Sequence, residues 1–218
     1  GERIMRVSDW SVAHPEHADR QVIRNVGFDV RAGEVVGIAG LMGAGRTELA
    51  MSIFGKSWGQ NITGTVEMRG KPVDTSTVSR AIEAGLAYVT EDRKSLGLIL
   101  GETITRNITL ANLPQVARGS VLNDHAETQV AEKYRTDLDI RAPGVFQKVV
   151  NLSGGNQQKV VLSKWLFVGP EILILDEPTR GIDVGAKYEI YGLINELAVS
   201  GKGVVMISSE MPELLGMC

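Results

Sequence analysis

The chain has 218 residues, of which 43% are hydrophobic and 22% charged, and its net charge is −3. This length allows one α/β domain with a full core, and the slightly acidic balance gives no basic surface that would argue for nucleic acid. Neither a signal peptide nor an apolar run of about eighteen residues is visible, so no membrane-spanning segment is expected; the single cysteine, Cys218, excludes an internal disulfide and fits a reducing compartment.

Apolar runs, glycine-rich turns and helical patterns alternate along the chain. We predict strands over 6–12, 22–30 and 35–40, a helix over 47–54, a hairpin over 63–68 and 71–73, a helix over 78–84 and a strand over 86–90. The stretch 103–136 is predicted to be mostly helical with breaks near Pro114 and Gly119. It is followed by a helix from Ser153 through Trp165, a strand from Ile172, a helix over 185–198 and a strand over 203–209.

Strands separated by long crossovers favour a parallel sheet with helices on both faces. The polar stretch between Leu100 and Val150 has few strand signals, so we interpret it as a helical lobe inserted into the core. The chain starts at Gly1 and ends directly after a helical segment. We therefore expect it to be a piece of a longer protein.

The segment GLMGAGRT, residues 40–47, fits the phosphate-binding P-loop pattern except at Arg46, where the pattern has lysine. Its glycines would let backbone N–H groups surround a triphosphate, and the helix N-terminus that follows would add positive potential. Arg46 keeps the charge, but a planar guanidinium is not equivalent to a compact ammonium. The alternative is a plain strand–turn–helix whose glycines serve packing. The nucleotide-binding residues predicted here are Gly40, Gly43, Ala44, Gly45, Arg46, Thr47 and Glu48.

Two further segments carry chemistry near the end of the chain. LSGGNQQK, residues 152–159, is a Ser-Gly-Gly turn that opens a helix, so its N–H groups can face an anion. ILILDEPT, residues 172–179, is an apolar run that delivers Asp176 and Glu177 to the end of a buried strand. On their own these carboxylates could merely cap a strand and a turn.

This pair of segments resembles the signature and Walker B motifs of ABC ATPases. The resemblance implies an α/β P-loop NTPase with a RecA-like parallel sheet core, an N-terminal antiparallel β subdomain and an inserted helical subdomain. We expect a single ABC nucleotide-binding domain over 1–218. Its approximate lobes are a β subdomain at 1–32 and 62–75, a core at 33–61, 76–99 and 166–218, and a helical subdomain with the signature at 100–165.

The resemblance also implies roles for individual residues, with ATP and Mg²⁺ as ligands. Glu177 would be the catalytic residue that polarises the attacking water, and the metal would be held by Thr47, Glu91 and, through water, Asp176. The signature and the D-loop would face a nucleotide bound by an opposite domain. Their residues are Ser153, Gly154, Gly155, Gln157 and Asp183.

Several positions depart from the commonest ABC pattern. Glu91 stands where the family usually has glutamine, and Ser209 where it usually has histidine; both are assigned to the nucleotide site together with Arg46. Neutral drift in a surface loop would also explain both changes. His14 lies where an aromatic residue stacks on adenine in the family, although a structural role is open for His14 and for Trp10.

The whole set of motifs, including VTEDRKSLGL and ISSEMPELLG, is similar to the C-terminal ABC domain of tandem ATP-binding subunits of bacterial importers for ribose, xylose or galactose. The implied partners are an N-terminal ABC domain of the same polypeptide, transmembrane permease subunits and, indirectly, a sugar-binding protein. No nucleic acid is expected, and the location would be the cytoplasmic face of the bacterial inner membrane.

The departures from the ABC pattern all fall on one of the two nucleotide sites. We therefore hypothesise that the two sites are unequal. Arg46, Glu91 and Ser209 all belong to the nucleotide on this domain's own P-loop, which we expect to hydrolyse slowly, whereas the signature that would complete the partner's site is intact. Two alternatives stay open: a nucleotide-binding scaffold without hydrolysis, and a soluble ABC protein that acts on DNA or ribosomes.

Overall fold

The computed structural model of the protein describes residues 1–41 and 43–218, and Met42, within the predicted P-loop, lies outside the described residues. The described chain divides into two compact units. The first unit comprises residues 1–91, 170–178 and 194–218, and the second comprises residues 92–169 and 179–193. No helix in these described ranges is long and apolar enough to cross a membrane.

The first unit contains an antiparallel sheet with the strand order β2-β1-β4-β5. Its strands are β1 Arg3–Ala13, β2 Gln21–Arg31, β4 Gln60–Met68 and β5 Lys71–Val73. The register of β1 shifts against both of its neighbours. Gly64 is required beside one of these irregularities, because its φ is +106° and a Cβ there would lie 2.7 Å from the carbonyl oxygen of Ser8.

The first unit also contains a parallel sheet that carries most of the predicted site. Its strands are β3 Val35–Ala39, β6 Leu86–Val89, β9 Ile172–Asp176 and β10 Gly203–Ser208, in the order β3-β10-β9-β6. Strands β6, β9 and β10 are buried along their whole length, as expected of parallel strands covered on both faces. Helices α1 Arg46–Ile53, α2 Val78–Glu83 and α7 Met211–Met217 belong to this unit.

The second unit is mainly helical. It holds α3 Ile104–Thr109, α4 Asp124–Asp137, α5 Gly154–Val168 and the start of α6 Val184–Val199. A hairpin of two very short strands, β7 Ala117–Arg118 and β8 Val121–Leu122, precedes α4. Helix α3 packs against both α4 and α5 and buries Ile104 and Ile108 completely.

The α/β fold class with a parallel and an antiparallel sheet is confirmed, whereas the predicted lobe boundaries stay a prediction. The expected helical stretch 103–136 is interrupted where proline and glycine stand: a 3-10 segment contains Pro114, and Gly119 turns the β7–β8 hairpin with a φ of +61°. Helix α5 continues past Trp165 to Val168 and ends at Gly169, which takes the left-handed conformation.

Candidate functional site

The predicted P-loop connects β3 to α1. Gly43 and Gly45 have φ of +81° and +84°, which favours glycine at both places. Among the described residues, a Cβ at Gly43 would meet no atom within 4 Å, so the backbone of Gly43 faces open space, and no described side chain caps the N-terminus of α1 at Gly45. Gly40 lies close to its own loop, since a Cβ there would be 3.2 Å from the Cβ of Ala44. The exposed backbone at Gly43 is what a phosphate site requires, whereas Gly45 is buried against Val22 and Ile23.

Arg46 and Glu177 form an ion pair beside this loop. The distance from Arg46 Nη2 to Glu177 Oε1 is 3.3 Å, and both side chains are only 10% exposed. Glu177 directly follows β9 with a φ of +47°, and its backbone N–H donates to the carbonyl oxygen of Ile207. The other terminal nitrogen of Arg46, Nη1, is buried and has no hydrogen-bond partner among the described residues. A buried guanidinium nitrogen in this state fits an anionic ligand such as a phosphate oxygen.

Asp176 is completely buried at the end of β9. Its Oδ2 accepts a hydrogen bond of 3.0 Å from the Tyr88 hydroxyl, while Oδ1 has no partner within residues 1–41 and 43–218. Burial raises the pKa of Asp176, and the nearby hydroxyl groups of Thr47 and Tyr88 oppose that shift. Thr47 Oγ1 donates to Glu91 Oε2 at 3.2 Å. The structure thus brings the three predicted metal-binding side chains together, and the open carboxylate oxygen fits a Mg²⁺ ion with its waters.

The end of β10 is organised by a residue that the sequence did not single out. Ser208 is buried; its hydroxyl donates to the Glu213 carboxylate and accepts a hydrogen bond from the Glu210 backbone N–H at 3.0 Å. The predicted site residue Ser209 follows it and is exposed. A serine inside a buried apolar strand was the available signal for Ser208, since a buried hydroxyl needs partners.

His14 belongs to an aromatic cluster after β1. Its ring stacks on that of His17, with 5.1 Å between the centroids, and meets Trp58 edge-on at 5.9 Å. One face of the His14 ring is therefore covered, so its role in adenine stacking stays a prediction. Trp10 is buried, and its Nε1 donates to the Ser52 hydroxyl at 2.9 Å, which is a structural role. Glu48 lies half-buried in the first turn of α1.

In the second unit, the Ser-Gly-Gly turn brings the starts of α5 and α6 together. Ser153 is the N-cap of α5, and its Oγ accepts a hydrogen bond from the backbone N–H of Asn156. Both glycines are required for packing. A Cβ at Gly154 would lie 3.0 Å from the carbonyl oxygen of Gly181, and a Cβ at Gly155 would lie 2.5 Å from the Cβ of Ala186.

Ser153 and Asp183 border one small cleft in the second unit. Asp183 Oδ1 accepts from the Ala186 backbone N–H at 3.0 Å and so caps α6. The cleft has a volume of about 120 Å³, and Arg141 and Glu189 also line it. Gln157 is buried instead, and its amide Nε2 donates to the Val149 carbonyl oxygen, so its predicted contact with a nucleotide stays a prediction.

Comparison with known proteins identifies relatives of this chain. The sequence model of the family described as ABC transporter matches residues 23–180. The chain is 59% identical over 218 residues to the L-arabinose transport ATP-binding protein AraG of Geobacillus stearothermophilus, covering 100% of this chain and 42% of that protein. It is 51% identical over 217 residues to the xylose import ATP-binding protein XylG of Thermoanaerobacter pseudethanolicus, covering 100% and 43%. The chain therefore spans about two fifths of the length of these curated relatives.

Solved structures agree on the fold. A nucleotide-free ATP-binding cassette from an ABC transporter superposes with a TM-score of 0.81 at 19% identity, over 99% of this chain and 85% of that chain. The dimeric post-hydrolysis structure of another ATP-binding cassette, bound to ADP and Pi, gives a TM-score of 0.77 at 21% identity, over 96% and 89%. The chain has the fold of an ABC ATPase cassette, as the sequence predicts.

Proposed function

Because this chain belongs to the ABC transporter family, we propose that it is an ATP-hydrolysing domain of a bacterial importer for a small sugar. Identities of 59% and 51% to arabinose and xylose transport proteins support this class of cargo. The observation that carries the ATPase assignment is a pair of buried atoms near the P-loop, Arg46 Nη1 and Asp176 Oδ1, that have no hydrogen-bond partner within residues 1–41 and 43–218. A phosphate oxygen and a metal ion with its waters would satisfy them.

The partners follow from the same proposal. This domain would be the C-terminal half of a tandem polypeptide, and it would pair with an N-terminal ABC domain at the cytoplasmic face of the inner membrane. The conformational change that follows ATP binding and hydrolysis would be transmitted to permease subunits. A sugar-binding protein would deliver the sugar to them. The chain's coverage of about two fifths of its relatives leaves room for a second domain of similar size in such a protein.

Within this domain's own site, each side chain has a distinct task. Thr47, Glu91 and Asp176 would hold Mg²⁺, which when bound supplies positive charge to the phosphate oxygens. Arg46 would contact a phosphate through its buried Nη1. Glu177 would accept a hydrogen bond from the water that attacks the γ-phosphate and would thereby orient it.

The ion pair between Arg46 and Glu177 supports slow hydrolysis at this site. Glu177 has to face the attacking water, but its carboxylate is engaged by a guanidinium at 3.3 Å in a site where both side chains are 10% exposed. Charge pairs that exclude water interact more strongly than exposed ones, so separating this pair adds to the barrier. Arg46 would therefore slow hydrolysis in two ways. Its planar guanidinium replaces a lysine ammonium at the phosphates, and it holds the Glu177 carboxylate away from the attacking water.

The cleft at the start of α5 would serve the partner's nucleotide. Ser153 and Asp183 border it on two different helices, and the N-terminus of α5 adds positive potential toward an anion. None of the departures from the ABC pattern lies in this unit. The signature of this domain would therefore complete a fast site on the N-terminal domain.

The permease would meet the second unit at an exposed apolar surface, which we call the coupling surface. It consists of Leu96 (67% exposed), Ile99 (50%), Phe146 (68%) and Val150 (52%). Backbone hydrogen bonds join its two segments, for example from the Val150 N–H to the Leu100 carbonyl oxygen. This surface includes part of the predicted coupling region, which is the loop after Glu91 and the stretch 103–113.

The unequal-site proposal is tested in the full tandem protein by two substitutions. Ser153→Arg blocks the signature cleft, so we expect it to abolish most steady-state ATP turnover, whereas Arg46→Ala should leave turnover within about twofold because the slow site contributes little. The exposed Arg80, replaced by alanine, is the control for loss of an arginine. Loss of turnover in Arg46→Ala with retention in Ser153→Arg would show that the asymmetry is the reverse of the one proposed.

A scaffold without hydrolysis is the second candidate function, and the Arg46–Glu177 ion pair favours it. The two candidates differ in the slow phosphate release that remains in the tandem protein after Ser153→Arg has blocked the fast site. Slow release that disappears when Glu177→Gln is added supports the ATPase. Binding of ATP without any release, equal in both proteins, supports the scaffold.

A further inference from the structure

Arg93 connects three parts of the second unit. It begins a single π-helical turn, Arg93–Gly97, two residues after Glu91. Its Nη1 donates to the Arg180 carbonyl oxygen at 2.8 Å and its Nη2 to the Gly181 carbonyl oxygen at 3.3 Å. Its Nε lies 3.5 Å from Gln157 Oε1 on α5. The guanidinium thus joins the loop after Glu91 to α5 and to the turn that leads into α6.

The turn that Arg93 contacts determines where Asp183 lies. Gly181 has a φ of +66°, and Asp183 follows two residues later as the cap of α6. The carbonyl oxygens of Arg180 and Gly181 both face the Arg93 guanidinium, whose positive charge strengthens both hydrogen bonds. Without the guanidinium, these oxygens would lose their shared donor, and the turn would lose two hydrogen bonds that hold it to Arg93.

The start of α5 is held by the same guanidinium. A Cβ at Gly154 would lie 2.8 Å from Arg93 Nη2 and 3.0 Å from the Gly181 carbonyl oxygen. Gly154 is therefore packed between the arginine and the turn, and a side chain there would force one of them to shift. At the other end of the π-helical turn, Lys164 Nζ donates to the Gly97 carbonyl oxygen at 2.5 Å, which fixes the segment that carries Arg93.

We propose that Arg93 is a positioning residue, which holds Ser153 and Asp183 in one rigid surface for the nucleotide on the partner domain. The inference rests on the proposed function, because this surface meets a nucleotide only if the signature completes the partner's site. The guanidinium presents two N–H groups on different nitrogens in a fixed planar fork that matches the two carbonyl oxygens, whereas the three donors of a lysine ammonium all lie on one nitrogen and are not fixed in this geometry. Arginine is therefore the residue type that the geometry demands.

The first test is made on the nucleotide-free tandem protein, so it does not depend on activity. Hydrogen exchange of the backbone N–H groups at 182–187 reports how firmly the start of α6 is held. We expect faster exchange there in Arg93→Ala, by about tenfold or more, and an intermediate rate in Arg93→Lys. Arg80→Ala should leave these amides unchanged. Equal exchange in all four proteins would overturn the positioning role.

The second test uses steady-state ATP hydrolysis by the same proteins. Misplacement of a positioned group lowers kcat by roughly tenfold or more, while KM for ATP and the binding of a fluorescent ATP analogue should stay near the wild-type values, because Arg93 is not proposed to contact the P-loop nucleotides. Arg93→Lys, which retains the charge, should recover part of kcat and also guards against a failure of Arg93→Ala to fold.

Ser153→Arg separates the two possible failures. If Ser153→Arg abolishes turnover while Arg93→Ala and Arg93→Lys both keep the wild-type kcat, the positioning role is wrong and the proposed function stands. If Ser153→Arg itself keeps full turnover, the proposed role of the signature in a fast partner site fails. A fall in kcat that is matched by an equal rise in KM would indicate general damage and would also overturn the inference.

Discussion

Asp176 lowers the stability of the folded protein when no ligand is bound. Its side chain is buried, its Oδ1 has no partner among the described residues, and burial raises its pKa above the ordinary value of 3.8. A raised pKa means that the folded protein disfavours the ionised carboxylate. The same open oxygen is what a Mg²⁺ ion with its waters would use, so function and stability oppose each other at this residue.

We predict that Asp176→Asn stabilises the ligand-free chain and removes its response to magnesium and ATP. Asparagine can keep the oxygen that accepts from Tyr88. At neutral pH, the free energy of unfolding should rise by about 1–2 kcal/mol, because a neutral amide is less costly than a charge to leave without a full set of partners. Urea unfolding measures the gain, and thermal unfolding with and without MgATP measures the loss of ligand response.

The stability gained in Asp176→Asn should increase as pH rises. Between pH 3.8 and the raised pKa of folded Asp176, the folded state binds more protons than the unfolded state, so wild-type stability falls as pH rises. The advantage of the asparagine variant should therefore be small near pH 4 and grow toward neutral pH. Asp9→Asn is the matched control, because Asp9 is exposed and its positive φ also suits asparagine. A gain that does not change with pH would contradict this explanation.

Individual site residues differ in how far the sequence predicts them. Thr47, Asp176 and Glu177 are assigned from local patterns, because a glycine loop before a helix and carboxylates after an apolar run are short-range signals. The pairing of Arg46 with Glu177 spans two distant segments and depends on side-chain packing, which no local pattern encodes. The contacts of Arg93 with the turn before α6 are hidden for the same reason.

At the scale of elements, the close approach of α5 and α6 depends on a missing side chain. We predict that Gly155→Ala destabilises the chain by about 1–3 kcal/mol, because the new Cβ would lie 2.5 Å from the Cβ of Ala186 and one helix has to move. Helix propensity alone predicts the opposite sign, a gain of about 0.8–1 kcal/mol. The sign of the change in the free energy of unfolding, measured with urea, therefore shows whether the packing clash or the helix propensity dominates.

Two further substitutions control this test. Gly192 is also in a helix and a Cβ there would meet nothing within 4 Å, so Gly192→Ala should be neutral or stabilising. Ala186→Gly removes the Cβ that Gly155→Ala would strike, so the double variant should recover most of the loss beyond the cost of the new glycine. Strict additivity of the two changes would argue that the helices do not meet there.

Elements with a continuous apolar pattern are predictable, and elements without one are not. The buried strands β6 and β10 lie within one residue of their predicted bounds and β9 begins at the predicted Ile172, because continuous apolar runs between glycine or proline signals leave few alternatives. The β7–β8 hairpin has two residues in each strand, which is too short for any periodicity to be visible. The π-helical turn Arg93–Gly97 lies in a polar segment and is held by Arg93 and Lys164 through contacts distant in sequence.

At the scale of the whole molecule, the coupling surface is a group of apolar side chains that the fold does not bury. Its side chains are exposed in the second unit, although the same unit buries other apolar residues such as Ile104 and Ile108. Clustered exposed apolar side chains mark interaction sites more often than scattered ones. The composition alone could not reveal this, since exposure depends on which apolar residues the fold leaves uncovered.

On the proposed function, we predict that replacing Phe146 or Leu96 with serine weakens binding of the proposed tandem protein to a permease. Loss of one buried apolar side chain costs about 1.5–3 kcal/mol, which corresponds to roughly 10–100-fold in affinity. Copurification with the permease and sugar-stimulated ATP hydrolysis in proteoliposomes should both fall, whereas binding of a fluorescent ATP analogue should not change. Val199→Ser is the matched control, because Val199 is 89% exposed in the first unit. If Val199→Ser weakens the complex as much as Phe146→Ser does, the effect is general, and the permease does not bind at the coupling surface.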